Sequence, residues 1–218
     1  MGSRRLRPMT PADIAELPGM CATCTFWEAG LTDLATPGDH RDGRAVKNEW
    51  AETVTEHWGY CGVVASQENA IIGYLTLAPA MHVPRLAAFP TTPISPDAAV
   101  VMSALVVEGH RGHGIGRQLM QSAAGLVARR DIRALEAVGT YHDGPSCMLP
   151  ATWLEAVGFT VTRAHPTTPR LRMDLQSTVR WRSDLGAAWH RLTGLVAQPA
   201  PPEPAAYRHR TVETPGPS

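Results

Sequence analysis

Between residues 107 and 120 the chain reads VEGHRGHGIGRQLM. Gly112, Gly114 and Gly116 stand just where a helix has to begin, although a glycine inside a helix costs roughly 0.8–1 kcal/mol against alanine. A Gly-rich turn that opens a helix is a device for holding phosphate. The first amides of the helix have no partner within it, the macrodipole adds about half a positive charge, and side chains would block the approach. Two nucleotide motifs fail here. A P-loop needs Lys and then Ser or Thr behind its second glycine; counted from Gly109 and Gly114, those places hold Ile115 and Gly116. The dinucleotide fingerprint needs a third glycine where Leu119 stands.

Other residues of chemical interest are scattered. Tyr141, His142, Ser146 and Cys147 form one group, and Glu28, His57, His82 and Asp97 are separate candidate bases. The segment CATCTFWEAG carries Cys21-x-x-Cys24. A structural zinc site usually takes four ligands, often as two such pairs. There is no second pair, so no metal is expected.

The surrounding elements have to position these groups. RRLRPMT (4–10) reads as a strand, and PADIAELPGMCATCTFWEAG as a helix broken at Pro18-Gly19 and resumed. Val46, Trp50, Val54 and Trp58 recur every fourth residue, which predicts a helix that Gly59 ends. YCGVVAS (60–66) and AIIGYLTLAP (70–79) predict two strands, and AAVVMSALVV (98–107) a strand buried on both faces. A helix follows the glycines to about Arg130, then a strand at 133–139, a short helix in LPATWLEAVGF, and a hairpin from TVTRAH and PRLRMDL. Trp181, Leu185, Trp189, Leu192 and Val196 predict an amphipathic helix over 177–198, before a Pro-rich tail (199–218) without periodicity. The class is mixed α/β.

Composition narrows the functions. Of 218 residues, 44% are hydrophobic and 18% charged, which fits an ordinary globular domain. The formal charge is zero, so there is no global attraction to nucleic acid or to an anionic membrane. The N-terminus lacks the apolar run of a signal peptide and no stretch is long enough to span a bilayer, which makes a cytoplasmic protein with reduced cysteines the expectation.

Arg111-Gly112-His113-Gly114-Ile115-Gly116 matches an Arg/Gln-x-x-Gly-x-Gly/Ala pattern, and ALVVEGHRGHGIGRQLM together with WLEAVGF resembles the GNAT superfamily of N-acetyltransferases over about residues 3–176. CxxCxFWE also looks like a segment of actinobacterial GNAT-like proteins. The resemblance implies a mostly antiparallel central sheet with splayed fourth and fifth strands, flanked by helices. It also implies transfer of an acetyl or other acyl group from acetyl-CoA, as cosubstrate, to an amine. Coenzyme A would lie against Leu105, Val106 and Val107, with Arg111, Gly112, His113, Gly114, Ile115, Gly116 and Arg117 at its pyrophosphate. An amide near Leu105 or Val106 would polarise the thioester carbonyl.

Trp27, Glu28, Trp50 and Tyr74 are the expected acceptor-site residues, aromatic walls with one carboxylate suiting a cationic amine. The family's usual tyrosine acid falls at Leu154, its frequent asparagine at Cys147 and its strand glutamate at Val100. Tyr141, Cys147 and Glu28 stand as substitute catalytic groups. A small-molecule acceptor leads. A protein amine, an aminoacyl-tRNA donor and an acyl-CoA sensor without turnover are the alternatives. The terminal stripe could also serve a homodimer.

Overall fold

Asp42 caps the first α-helix: its carboxylate accepts from the Arg44 amide, and Gly59, left-handed at φ 93°, ends the helix. This helix, α1 (Gly43–Trp58), buries Lys47, Trp50, Ala51, Val54 and Trp58, the face set by the four-residue spacing. In the computed structural model, which describes residues 4–30, 42–142 and 146–175, the strands are β1 (Arg5–Pro8), β2 (Gly62–Gln67), β3 (Ala70–Pro79), β4 (Ala98–Val106), β5 (Ala134–Thr140), β6 (Leu149–Pro150), β7 (Thr160–Arg163) and β8 (Arg170–Asp174). Helices α2 (Ile115–Val127) and α3 (Ala151–Ala156) follow β4 and β6.

The sheet runs β1-β2-β3-β4-β5-β8-β7, with β6 attached to β5. All pairs are antiparallel except β4–β5 and β5–β6. Helix α2 lies across β1 to β4, and α1 meets β3. Apolar residues from these elements form the core, with Leu75, Leu77, Met102, Leu119 and Leu135 fully buried.

One expectation changes. The segment 11–22 forms two short 3-10 helices, Pro11–Glu16 and Met20–Ala22, in place of an interrupted α-helix. Pro11 and Pro18 leave only six residues between them, too short to nucleate an α-helix. The helix expected over 177–198 and the tail over 199–218 lie outside the described residues. Among the described residues no helix is long and apolar enough to cross a membrane.

Candidate active site

Strands β4 and β5 pair only from Ala98–Ala134 to Val100–Glu136. Beyond Val100, β4 keeps its β3 partner to Val106, while β5 takes β6 at Gly139 and Thr140. A bulge helps them part: Thr76 faces Ser103 and Leu77 faces Val101, so Met102 is the extra residue. The gap opens into a cleft of about 640 Å³, lined by Ala104–Val106 of β4, the glycine turn, the start of α2, Leu149 and Pro150, and Trp153, Ala156 and Val157.

Backbone directions along β4 follow from two hydrogen bonds. The Ser103 amide donates to Thr76 Oγ1 at 3.2 Å, and the Val107 amide to the Ile72 carbonyl at 3.0 Å. Residues 103, 105 and 107 therefore aim their amides at β3. The Val106 carbonyl faces away and accepts from Arg111 Nε at 3.0 Å. By strand alternation the Ala104 and Val106 amides face the cleft, and the Leu105 amide does not.

The three glycines answer different demands. Gly112 and Gly114 are left-handed at φ 77° and 74°, a conformation costing roughly 1–2 kcal/mol for other L-residues. A Cβ at either would meet nothing within 4 Å, so packing does not require them; the turn's direction and its openness do. Gly116 has no unusual φ, but a Cβ there would lie 3.2 Å from Trp153 Cζ2.

Among the described residues no side chain caps α2, and its first turn holds no acid. The first amide answered within the helix is that of Gln118, donating to the Gly114 carbonyl at 3.0 Å. Among the described residues the amides of Ile115 and Gly116 thus have no acceptor within the helix, an anion site in waiting. The Ile115 side chain is buried, leaving only its backbone to the cleft. Arg111 and His113 are exposed, and His113 Nδ1 lies 2.8 Å from the Arg111 carbonyl. Arg117 Nη2 donates to the Ala156 carbonyl at 2.7 Å, tying α2 to α3.

A second cluster lies beside β6. The buried Trp27 indole donates to the Cys147 carbonyl at 2.9 Å and meets Phe26 edge-on at 5.1 Å between ring centres. Phe89 lies 5.6 Å from the Trp27 ring, and the Arg85 guanidinium sits 4.5 Å from the centre of Phe26. Among the described residues no carboxylate pairs with Arg85, whose Nη1 is buried without a hydrogen-bond partner. Cys24 Sγ and Cys147 Sγ are 3.0 Å apart.

The expected acceptor residues are only partly brought together. Trp27 belongs to this cluster. Glu28 is buried in an ion pair with Lys47, the only lysine of the chain, so its charge is already matched. Trp50 is in the core with its indole donating to the His82 carbonyl at 2.8 Å, and Tyr74 is 1% exposed within β3. Aromatic and β-branched residues on an amphipathic stripe serve core and pocket alike, and here these two serve the core. His82 stands 5.4 Å from His57; burial first, and then the His57 charge, hold its pKa below the usual histidine range.

Leu154 and Val100 are fully buried hydrocarbon side chains with no proton to give or take. Tyr141, just beyond β5, is 46% exposed, and its amide donates to the Thr167 carbonyl at 3.3 Å. Trp153 opens the WLEAVGF segment, but Leu149 and Pro150 of the cleft wall, and Arg85 and Phe89 of the cluster, carry no local motif. Their only sequence signal is adjacency to the short helix after β5 and to the Pro-rich stretch 79–97. Among the described residues no three His, Cys, Asp or Glu side chains gather as a metal site.

The family model described as "Acetyltransferase (GNAT) family" matches residues 26–147. The Cys21–Cys24 motif precedes that span. No curated protein matches the chain by sequence. Among solved structures, a putative acetyltransferase of the GNAT family from Desulfovibrio desulfuricans is 18% identical, with 79% of this chain and 99% of that one covered and a TM-score of 0.51. The PaiA N-acetyltransferase of Thermoplasma acidophilum, in complex with coenzyme A, is 12% identical over 79% and 99%, also at 0.51. YncA, a putative acetyltransferase from Salmonella typhimurium with its cofactor acetyl-CoA, is 18% identical over 79% and 94%, at 0.50. At these identities the likeness is one of fold.

Proposed function

The chain belongs to the GNAT family of acetyltransferases, and from that premise we propose that it moves an acetyl group from acetyl-CoA to the amine of a small molecule by direct transfer. The observation that carries this reading is the parting of β4 and β5 beside an uncapped helix start. Coenzyme A fits those residues. The α2 amides and the open glycine turn suit a diphosphate, the exposed Arg111 adds charge, and the cleft-facing Ala104 and Val106 amides suit an amide-containing arm. When bound, the thioester supplies an activated acyl carbon. One of the two β4 amides, unlike that of Leu105, is directed to polarise its carbonyl.

For proton transfer, Tyr141 is the group we assign to protonate the departing thiolate, with Cys147 as the alternative donor. Glu28, paired with Lys47, shapes the acceptor wall and is a weaker candidate base than a sequence reading suggests. His82, whose pKa burial and His57 hold below the usual histidine range, is the group we assign to accept a proton, directly or through water. Much of the rate is left to proximity. With Glu28 matched by Lys47 and Arg85 without a carboxylate among the described residues, the wall favours an amine that also carries an anionic group, in place of the cationic acceptor that aromatic walls with one carboxylate suggest. The protein is read as cytoplasmic.

The test is acetyl-CoA incubated with a panel of amines, with and without carboxylate groups, following thiol release. Release with an acidic amine supports the proposal. A second reading, an acyl-CoA sensor without turnover, is favoured by the buried Leu154 and Val100, and predicts thermal stabilisation by coenzyme A with no thiol release from any amine.

A further inference from the structure

Cys24 and Cys147 come from segments 123 residues apart, yet their sulfurs stand 3.0 Å from one another. We propose that they are an oxidisable pair that closes to a disulfide on exposure to a peroxide, stapling the Trp27 segment to the start of β6. This inference is independent of the acyl donor and acceptor.

Three observations carry it. First, a disulfide bond is about 2.05 Å long, so the sulfurs need approach by only about 1 Å. Second, both segments are already held together, because the Trp27 indole donates to the Cys147 carbonyl at 2.9 Å. Third, both thiols are half-buried and so reachable by a small oxidant, whereas Cys61 is fully buried. The sequence motif suggests that Cys24 belongs with Cys21. The fold gives it a partner from the far side of the chain.

The chemistry balances with a peroxide as oxidant. One thiolate attacks a peroxide oxygen, the O–O bond breaks, and a sulfenic acid and water result. The second thiol attacks the sulfenic sulfur, the S–S bond forms, and a second water leaves with the protons. Two thiols are oxidised by two electrons and one hydrogen peroxide is reduced to two waters.

The experiment treats the full chain with hydrogen peroxide near stoichiometry, then maps peptides by mass spectrometry without reduction. We expect a single linkage, Cys24 to Cys147, undone by dithiothreitol, lost in Cys24→Ser and Cys147→Ser, and retained in Cys21→Ser. Because the loop enclosed is long and the geometry nearly in place, the oxidised chain should melt roughly 5–15 °C higher. A Cys21–Cys24 linkage, separate sulfinic or sulfonic acids on the two cysteines, or no oxidation overturns the proposal. So does a Cys24–Cys147 bond that lowers the melting point, since the pair would then not be preformed. The wild-type map decides even where a serine variant fails to fold.

Discussion

Val100 and Glu136 are the last residues at which β4 and β5 meet, and Glu136 is fully buried at that point. Its carboxylate accepts from Ser95 Oγ at 2.5 Å and from Arg172 Nη1 at 3.2 Å, with Arg170 Nε 3.7 Å away. Arg172 also binds Asp97 at 2.9 Å. The loop before β4 is thus clamped to β5 and β8 at the foot of the cleft.

Removing one member of a buried ionic cluster leaves the others uncompensated. Glu136→Ala should therefore destabilise the chain by about 3–5 kcal/mol, read from the urea midpoint. Loss of coenzyme A binding should track this unfolding, because Glu136 does not line the cleft.

Gly114 and Gly116 should fail differently. Gly114→Ala puts a Cβ on a left-handed residue and should cost about 1–2 kcal/mol of stability, with weakened thermal stabilisation by coenzyme A as the turn re-aims. Gly116→Ala pushes the added methyl toward Trp153, 3.2 Å away. Its stability cost should be largely relieved in the double variant Gly116→Ala/Trp153→Ala, a coupling that Gly114→Ala should lack.

Asp13 gives a pH signature. Burial raises its pKa, but hydrogen bonds from Arg7 and Thr10 outweigh this and hold it below the usual carboxylate range. A depressed carboxylate contributes stability above its unfolded pKa and loses it as pH falls through the folded value. Arg7 is 44% exposed, so solvent screening limits the pair to about 1 kcal/mol. Wild type should melt above Asp13→Asn at pH 7, and the difference should vanish in acid below the carboxylate range.

Cys61 gives the opposite sign. Burial pushes its thiol up to about 11. Its stabilising contribution should be intact below its ordinary value of 9.0 and be lost as pH rises through about 11. At pH 8 iodoacetamide should label Cys24 and Cys147 well before Cys61, which should react only on unfolding. Early labelling of Cys61 in peptide maps would contradict this.

Arg85→Ala should raise KM for carboxylate-bearing amines about tenfold, the loss of one partly screened charge-assisted contact, with kcat changed little. Equal effects on neutral and acidic amines would argue against an anion-reading role.

The fold was largely legible because its signals are local. The four-residue stripe of α1, the doubly apolar β4 and the glycine turn each announce their element within about ten residues, as their short-range periodicities require. The cluster around Trp27 was not legible, because Arg85 on Phe26, Glu28 with Lys47 and Cys24 with Cys147 are pairings made by the tertiary fold between distant segments. Tyr74 and Trp50, both buried, are ambiguous in sequence for a related reason: large apolar residues look alike whether they line a pocket or fill a core.

Calorimetric titration with coenzyme A and with pantetheine, which shares the arm but lacks the diphosphate, tests the central claim most directly. If the α2 amides and the glycine turn grip the diphosphate, coenzyme A should bind about 100-fold or more tightly than pantetheine, the worth of two lost charge-assisted hydrogen bonds. Equal affinity for the two, or no binding of coenzyme A at all, would contradict it.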